Sequence, residues 1–227
     1  MMVQKAKSDR SALLFAVIVP VSFLLVLVLP ASRALFSSVT SAHPYMIGFV
    51  KFAFLATTGE ILAGKIATGV FRFPKGAVLK AGVWGLIGMM IVLLFPVFAS
   101  GIVAVQAGGL LFGGGNALLT AVLISTATNC TFGISMMGFH RITDAMIEMH
   151  CTQKQVSVMG AVKSVDWSDF IGFVVCKTIP LFWIPAHSVT FMLPPQYRVF
   201  MSAFLSIILG LLLAVAKRKT AQKTEVS

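Results

Sequence analysis

Six apolar runs, separated by short polar or turn-forming stretches, account for most of this 227-residue chain. The first, Ala12 to Leu29, follows Lys5, Lys7 and Arg10 and stops at Pro30. The second opens on His43-Pro44-Tyr45 and reaches about Lys65. Proline suits the first turn of a helix, and tyrosine suits a membrane interface. A loop with Arg72 and Lys75 leads to the third run, Ala81 to about Val105, and the glycine-rich turn from Gly108 to Asn116 leads to the fourth, Ala117 to Phe139. A more polar stretch, His140 to Asp169, holds four of the seven acids. The fifth run, Phe170 to about Leu193, contains Pro180 and Pro185, and is expected to be kinked or broken there. Pro194-Pro195 makes a turn, and the sixth run, Val199 to Ala216, stops at Lys217-Arg218-Lys219. Each run is close to the length of about 20 residues that crosses a bilayer as a helix.

Composition supports the same picture. With 58% hydrophobic and only 11% charged residues, and a mean hydropathy of +0.95, the chain has too little charge to cover a soluble surface. Its length allows at most about six crossings and leaves no room for a separate catalytic domain. A net charge of +11 would suggest nucleic acid in a soluble protein. Here the basic residues flank the apolar runs and report topology. With the N-terminus in the cytoplasm, that side receives Lys5, Lys7, Arg10, Lys65, Arg72, Lys75, Lys80, Arg141, Lys154, Lys163, Lys217, Arg218, Lys219 and Lys223, and the opposite side only Arg33 and Arg198. The expected fold is all-α: a polytopic transmembrane helix bundle of about six membrane-embedded segments, with both termini cytoplasmic. Residues 1–42 form a tail and an anchor helix, retained because the run is long for a signal peptide. Residues 43–216 form the main bundle and 217–227 a basic cytoplasmic tail. Three cysteines, Cys130, Cys151 and Cys176, give no disulfide framework.

Ionisable residues at membrane depth are costly and are candidates for function. Lys51 and Glu60 lie in the second run and Lys177 in the fifth. At about 100° per residue Lys51 and Glu60 face opposite sides of one helix, whereas Glu60 and Lys177 lie at similar depth and are expected to pair. They line a solute path, or they form a structural ion pair with Lys51 snorkelling outward. In the fourth run Ser125, Asn129 and Gly133, flanked by Thr128, Thr131 and Ser135, make a polar face for water or for interhelical hydrogen bonds. Lys177, Trp183 and His187 surround the prolines of the fifth run, and broken helices often mark transporter binding sites. Gly82, Gly85 and Gly88 in the third run, and Ser202, Ser206, Gly210 and Ala214 in the sixth, are small-residue stripes for helix packing. His140, Asp144 and Glu148 share one face, but their spacing is not that of a zinc site and local ion pairs explain it as well. No nucleophile–base pair, phosphate loop or cofactor fingerprint is present. An enzyme, a metal and a cofactor are therefore not expected.

His43-Pro44-Tyr45 with Gly59-Glu60, and later Trp183, Pro185, Pro194 and Arg198 within the stretch Phe182 to Arg198, resemble the two marks of the Mpv-seventeen / peroxisomal-membrane-protein-twenty-two family. The likeness covers roughly residues 43–216. Trp183 and Pro185 are not adjacent, Thr190 stands where the family has Asn, and the first run is extra to the family's four crossings. The resemblance implies a small membrane protein of a kind proposed to form weakly selective channels for small solutes. Two functions follow: a small-solute channel or transport protein of a cell inner membrane (an organelle membrane if eukaryotic), or a non-transporting scaffold or stress-linked accessory protein. The expected partners are the lipid bilayer and an unidentified small solute, with a homo-oligomer left open and no nucleic acid.

Overall fold

Apolar runs of this length satisfy their backbone groups in lipid only as helices, and among the described residues all regular structure is helical. The computed structural model of the chain describes residues 8–224, with side chains through 212 and at 215. Lys5 and Lys7 lie outside the described residues, as do the side chains of Ala214, Lys217, Arg218, Lys219 and Lys223.

We number the helices α1 (Arg10–Val28), α2 (Pro30–Ala42), α3 (Pro44–Thr68), α4 (Ala77–Ala107), α5 (Ala117–Cys151), α6 (Val158–Ser164), α7 (Trp167–Met192) and α8 (Pro195–Thr224). Six of them, α1, α3, α4, α5, α7 and α8, are long and apolar enough to cross a membrane. The chain is a multi-pass integral membrane protein. Leu14, Ile18 and Leu24 of α1, Leu86 and Leu93 of α4, and Leu181 and Val189 of α7 stand exposed where a soluble protein would carry charge.

The bundle is built around α3. In its most apolar window 56% of residues are buried, against 11–28% in the other five long helices. α3 packs along α4 and α8, and α5 packs against the second half of α7. Phe52, Leu55, Ile91, Phe95, Ala203 and Ile207 are the centre of the core. Two contacts of α3 are close to backbone on backbone. A Cβ on Gly88 of α4 would meet Gly48 O and lie 2.8 Å from Phe52 Cβ, and one on Gly59 would lie 3.3 Å from Ile207 Cα of α8. Gly85 sits against the Phe49 ring, whereas Gly82, expected at a helix contact, faces open space. The N-terminal end of α1 is tied to the α3–α4 loop by Asp9 N–H donating to Phe71 O at 2.8 Å. We call the end of the bundle holding that loop the basic end.

Three departures from the sequence reading matter for the site. The segment after Pro30, to which the sequence reading gave no element of its own, is the helix α2, too short to cross. α4 begins at Ala77, which puts Lys80 inside a helix. α5 continues past Phe139 to Cys151, carrying His140 and Asp144 in line with its membrane portion. It holds one wide, π-type turn at Asn129–Gly133.

The fifth run is not broken. From Phe170 to Trp183 its turns are widened to the i−5 register, and ordinary α turns follow to Met192. Ile184 N–H donates to Ile179 O, and the Thr178 hydroxyl donates to Phe173 O at 3.1 Å. The helix runs through Pro180 and Pro185 in wide and then ordinary turns, with no unwound segment.

Candidate functional site

A cavity of about 420 Å³ runs from the basic end into the middle of the bundle between α3, α4, α5, α7 and α8. Polar side chains gather at its two ends, and apolar and aromatic ones line the length between.

At the basic end, the close approach of α8 at Gly59 leaves Glu60 directed toward α4. Lys80 and Trp84 are one turn apart on α4, so both reach the same carboxylate. Lys80 Nζ lies 3.5 Å from Glu60 Oε2, and Trp84 Nε1 donates to Oε1 at 2.8 Å. The Lys80 ammonium also lies 3.3 Å from Asp144 Oδ1 of α5. His140, one turn before Asp144, places Nδ1 3.8 Å from its other oxygen and packs its ring on Trp84 with centroids 4.2 Å apart. Glu60, Lys80 and Asp144 keep 20–30% of their side-chain surface exposed, so the cluster is shielded but wetted. At an effective dielectric of about 20, two unit charges 4 Å apart interact by about 4 kcal/mol before desolvation. This is enough to fix the cluster's geometry without sealing it.

At the inner end three side chains from three helices form a buried chain. Asn129 of α5 approaches His187 Nδ1 with Nδ2 at 3.1 Å and Oδ1 at 3.2 Å, and His187 Nε2 lies 3.2 Å from Ser202 Oγ of α8. Asn129 Nδ2 also donates to Ser125 O at 2.8 Å, and the Ser125 hydroxyl donates to Ile184 O at 2.7 Å. Either tautomer of His187 satisfies the chain. With Nδ1–H donating to Oδ1, the Ser202 hydroxyl donates to Nε2; in the other tautomer both hydrogen bonds reverse. The His187 ring stands edge-on to Phe95 at 5.5 Å and lies 5.0 Å from the Trp183 ring. Phe191 packs behind Phe95 at 4.8 Å and lies outside the cavity wall. Aromatic rings therefore stand between the inner end and the far side of the bundle.

The structure brings together Glu60, Asn129, Trp183 and His187 and removes two other candidates from the wall. The expected Glu60–Lys177 pair is not formed. Lys177 is exposed on the outer surface of α7, and Glu60 takes its partners from α4 and α5. Lys51 does not snorkel outward. It is 1% exposed, donates to Thr40 Oγ1 at 3.1 Å and lies 4.1 Å above the Phe36 ring, both contacts coming from α2. Sequence reasoning missed Lys80, Trp84, His140 and Asp144 as cavity residues. The face shared by His140 and Asp144 was read as a local ion pair, which forms, but not as part of a cavity; the i,i+4 spacing Lys80/Trp84 was the further signal, once the helix is begun before Lys80.

The remaining candidates fall into simpler places. Ser202 completes the polar chain, while the Ser206 hydroxyl donates to Ala203 O of its own helix at 2.6 Å. Gly210 packs against Gly59 O, its Cβ position 3.6 Å away. Thr131 and Ser135 return their hydroxyls to carbonyls of α5. Glu148 is exposed, and no group of three metal-ligand side chains occurs among the described residues. His43 and Pro44 mark the start of α3, and Pro185 sits in the first turn of the α-helical part of α7. Pro194 lies in the α7–α8 turn, where Arg198 Nε donates to Leu193 O at 2.9 Å. No family model, curated protein or solved structure matches the chain.

Proposed function

We propose that the chain is a small-solute transport protein of a cytoplasmic membrane, with both termini on the cytoplasmic side and the cavity opening there. One observation carries this reading: a cavity of about 420 Å³ inside a six-helix bundle, with a charged cluster at one end and a buried polar chain at the other. Solute sites are commonly concave, largely apolar cavities of roughly 300–1,000 Å³ with a few placed polar groups. A scaffold whose work is done on its surface has no need of charges facing an interior space, since an ionisable group inside a membrane protein carries an insertion cost of about 2.5–3.5 kcal/mol. The concentration of basic residues at the cavity's open end supports the orientation. The likeness of His43-Pro44, Gly59-Glu60 and Pro194 to Arg198 to a family of small-solute channels points the same way, on pattern alone.

The test is flux into liposomes holding the purified full chain. Uptake of glycerol, urea or a small organic ion above that of empty liposomes, lowered by Asn129→Leu in protein that remains folded, is the expected result. Folded protein with no flux of any of these would leave the scaffold reading in its place.

A further inference from the structure

The cavity's charges do not balance. Of the chain's seven acids, Glu60 and Asp144 both line it, and Lys80 is the one lysine or arginine among the described wall residues. With both histidines neutral the wall carries one net negative charge, although the whole chain carries +11. Lys80 is already held between two carboxylates at 3.5 and 3.3 Å, so an anion approaching it meets both of them. A cation meets a cluster with charge to spare.

Two further atoms ask for partners. Trp183, 9% exposed and in the cavity wall, has its Nε1 buried without a hydrogen-bond partner, as does His140 at Nε2. A buried polar atom left without a partner is costly. An indole nitrogen is a donor only. For His140, Nδ1 faces the Asp144 carboxylate, so a neutral ring carries its proton there and leaves Nε2 as an acceptor. The basic end therefore lacks a donor and the interior lacks an acceptor. Between them the wall carries aromatic faces, including Trp84 and Phe132, of the kind that attract organic cations.

We propose that the cavity binds a small aromatic amine in its protonated form. The ammonium head sits against Asp144, Glu60 and His140 Nε2. The ring lies along Trp84 and Phe132, and an acceptor at the far end of the molecule takes the Trp183 indole N–H. Trp183 lies on α7 one turn nearer the basic end than His187. By helix rise the protein's two polar groups lie roughly 10 Å apart along the cavity, a gap that a para-substituted phenethylamine spans with a hydrogen bond at each end. This assignment rests on reading the cavity as a solute site.

The test uses the full chain in detergent and four probes, with binding read by calorimetry. These are 4-methoxyphenethylamine, phenethylamine, the uncharged 2-(4-methoxyphenyl)ethanol and the anionic 3-(4-methoxyphenyl)propanoate. The methoxy amine is expected to bind at least about ten-fold tighter than the alcohol, as suits a hydrogen bond to a charged group, and the carboxylate not at all. Trp183→Phe keeps the ring and removes the donor. It should bring the methoxy amine down to the affinity of phenethylamine and leave phenethylamine unchanged. Asp144→Asn should weaken both amines; since it also loosens Lys80, the probe series on unaltered protein carries the decision if that variant does not fold. Equal binding of amine and alcohol, tighter binding of the carboxylate, or an equal effect of Trp183→Phe on both amines overturns the proposal. Flux measured on the same preparation separates the two readings. Amine-selective binding with no flux of any probe removes transport and keeps the site. Flux of urea or glycerol without amine selectivity keeps transport and removes the amine.

Discussion

The indole N–H of Trp84 donates to Oε1 of Glu60 at 2.8 Å, across the α3–α4 interface and inside the membrane-spanning part of the bundle. That bond leaves the other carboxylate oxygen for Lys80, and Lys80 in turn reaches α5 through Asp144. Three helices are thus joined through one lysine. Double-mutant cycles should show it: Glu60→Gln and Lys80→Met are expected to couple by about 0.5–3 kcal/mol, the range for residues in one charge network. The measurement is thermal unfolding of each variant in detergent. Lys177→Met, on the exposed face of α7, should lie within about 0.5 kcal/mol of the parent and add independently to Glu60→Gln. A coupling between Glu60 and Lys177 would contradict the arrangement described.

The glycines of α4 should separate by contact. Gly88→Ala forces its Cβ against Gly48 O and Phe52 Cβ of α3, and overpacking of this kind costs about 1–3 kcal/mol. Gly82→Ala has open space and should be neutral or slightly stabilising, because alanine is the better helix former. Equal effects of the two on melting temperature would mean that α3 and α4 do not meet along the Gly48–Gly88 contact.

Ser202→Ala removes the partner of His187 Nε2 in a buried setting, with an expected loss of about 1–3 kcal/mol. Ser206→Ala, four residues on, removes only a hydroxyl bonded to its own helix, and should change stability by less than about 0.5 kcal/mol. Unfolding of the two variants side by side checks the difference, and their equality would show that the Asn129–His187–Ser202 chain is not formed.

Orientation has a direct chemical test. Cys151 is exposed at the end of α5, its Sγ 3.1 Å from the Cβ position of Gly76 in the α3–α4 loop, which fixes it at the basic end. In a Cys130→Ser/Cys176→Ser background, a membrane-impermeant maleimide should label Cys151 in inverted vesicles and leave it untouched in intact cells. The reverse pattern would turn the bundle over and open the cavity to the outside.

The six long helices were legible because lipid imposes a simple rule: about 20 apolar residues and an internally satisfied backbone. The ends of the helices were not legible, and the charged cluster depended on them. Lys80 reads as a loop residue when a helix is begun at the first apolar residue, Ala81. Begun at Ala77, the same helix puts Lys80 and Trp84 on the face that meets Glu60. His140 and Asp144 read as part of a solvated stretch because nothing local shows that α5 runs on unbroken beneath them. Lys177 was misplaced for a different reason: it was paired with Glu60 on similar depth alone, and depth does not say which face of α7 a residue occupies, least of all through the wide turns of that helix. Asn129, Trp183 and His187 were singled out as polar or amphipathic residues in apolar runs, a signal that does not depend on register. The burial of Lys51 beneath Phe36 required α2, a helix its composition does not announce.

The wide turn at Asn129–Gly133 sets the angle between the two ends of the cavity along α5. Above it Asn129 holds His187; below it His140 and Asp144 engage Trp84 and Lys80. A π-type turn is one residue too many for the α ladder, so everything beyond it is turned relative to an uninterrupted helix. The offset is about 100°, the rotation of one residue. Deleting one residue from that turn would swing Asp144 away from Lys80 and leave Asn129 in its place. The charged mouth would then be re-cut while the inner hydrogen-bond chain stays whole, with hardly any change in the length of the helix.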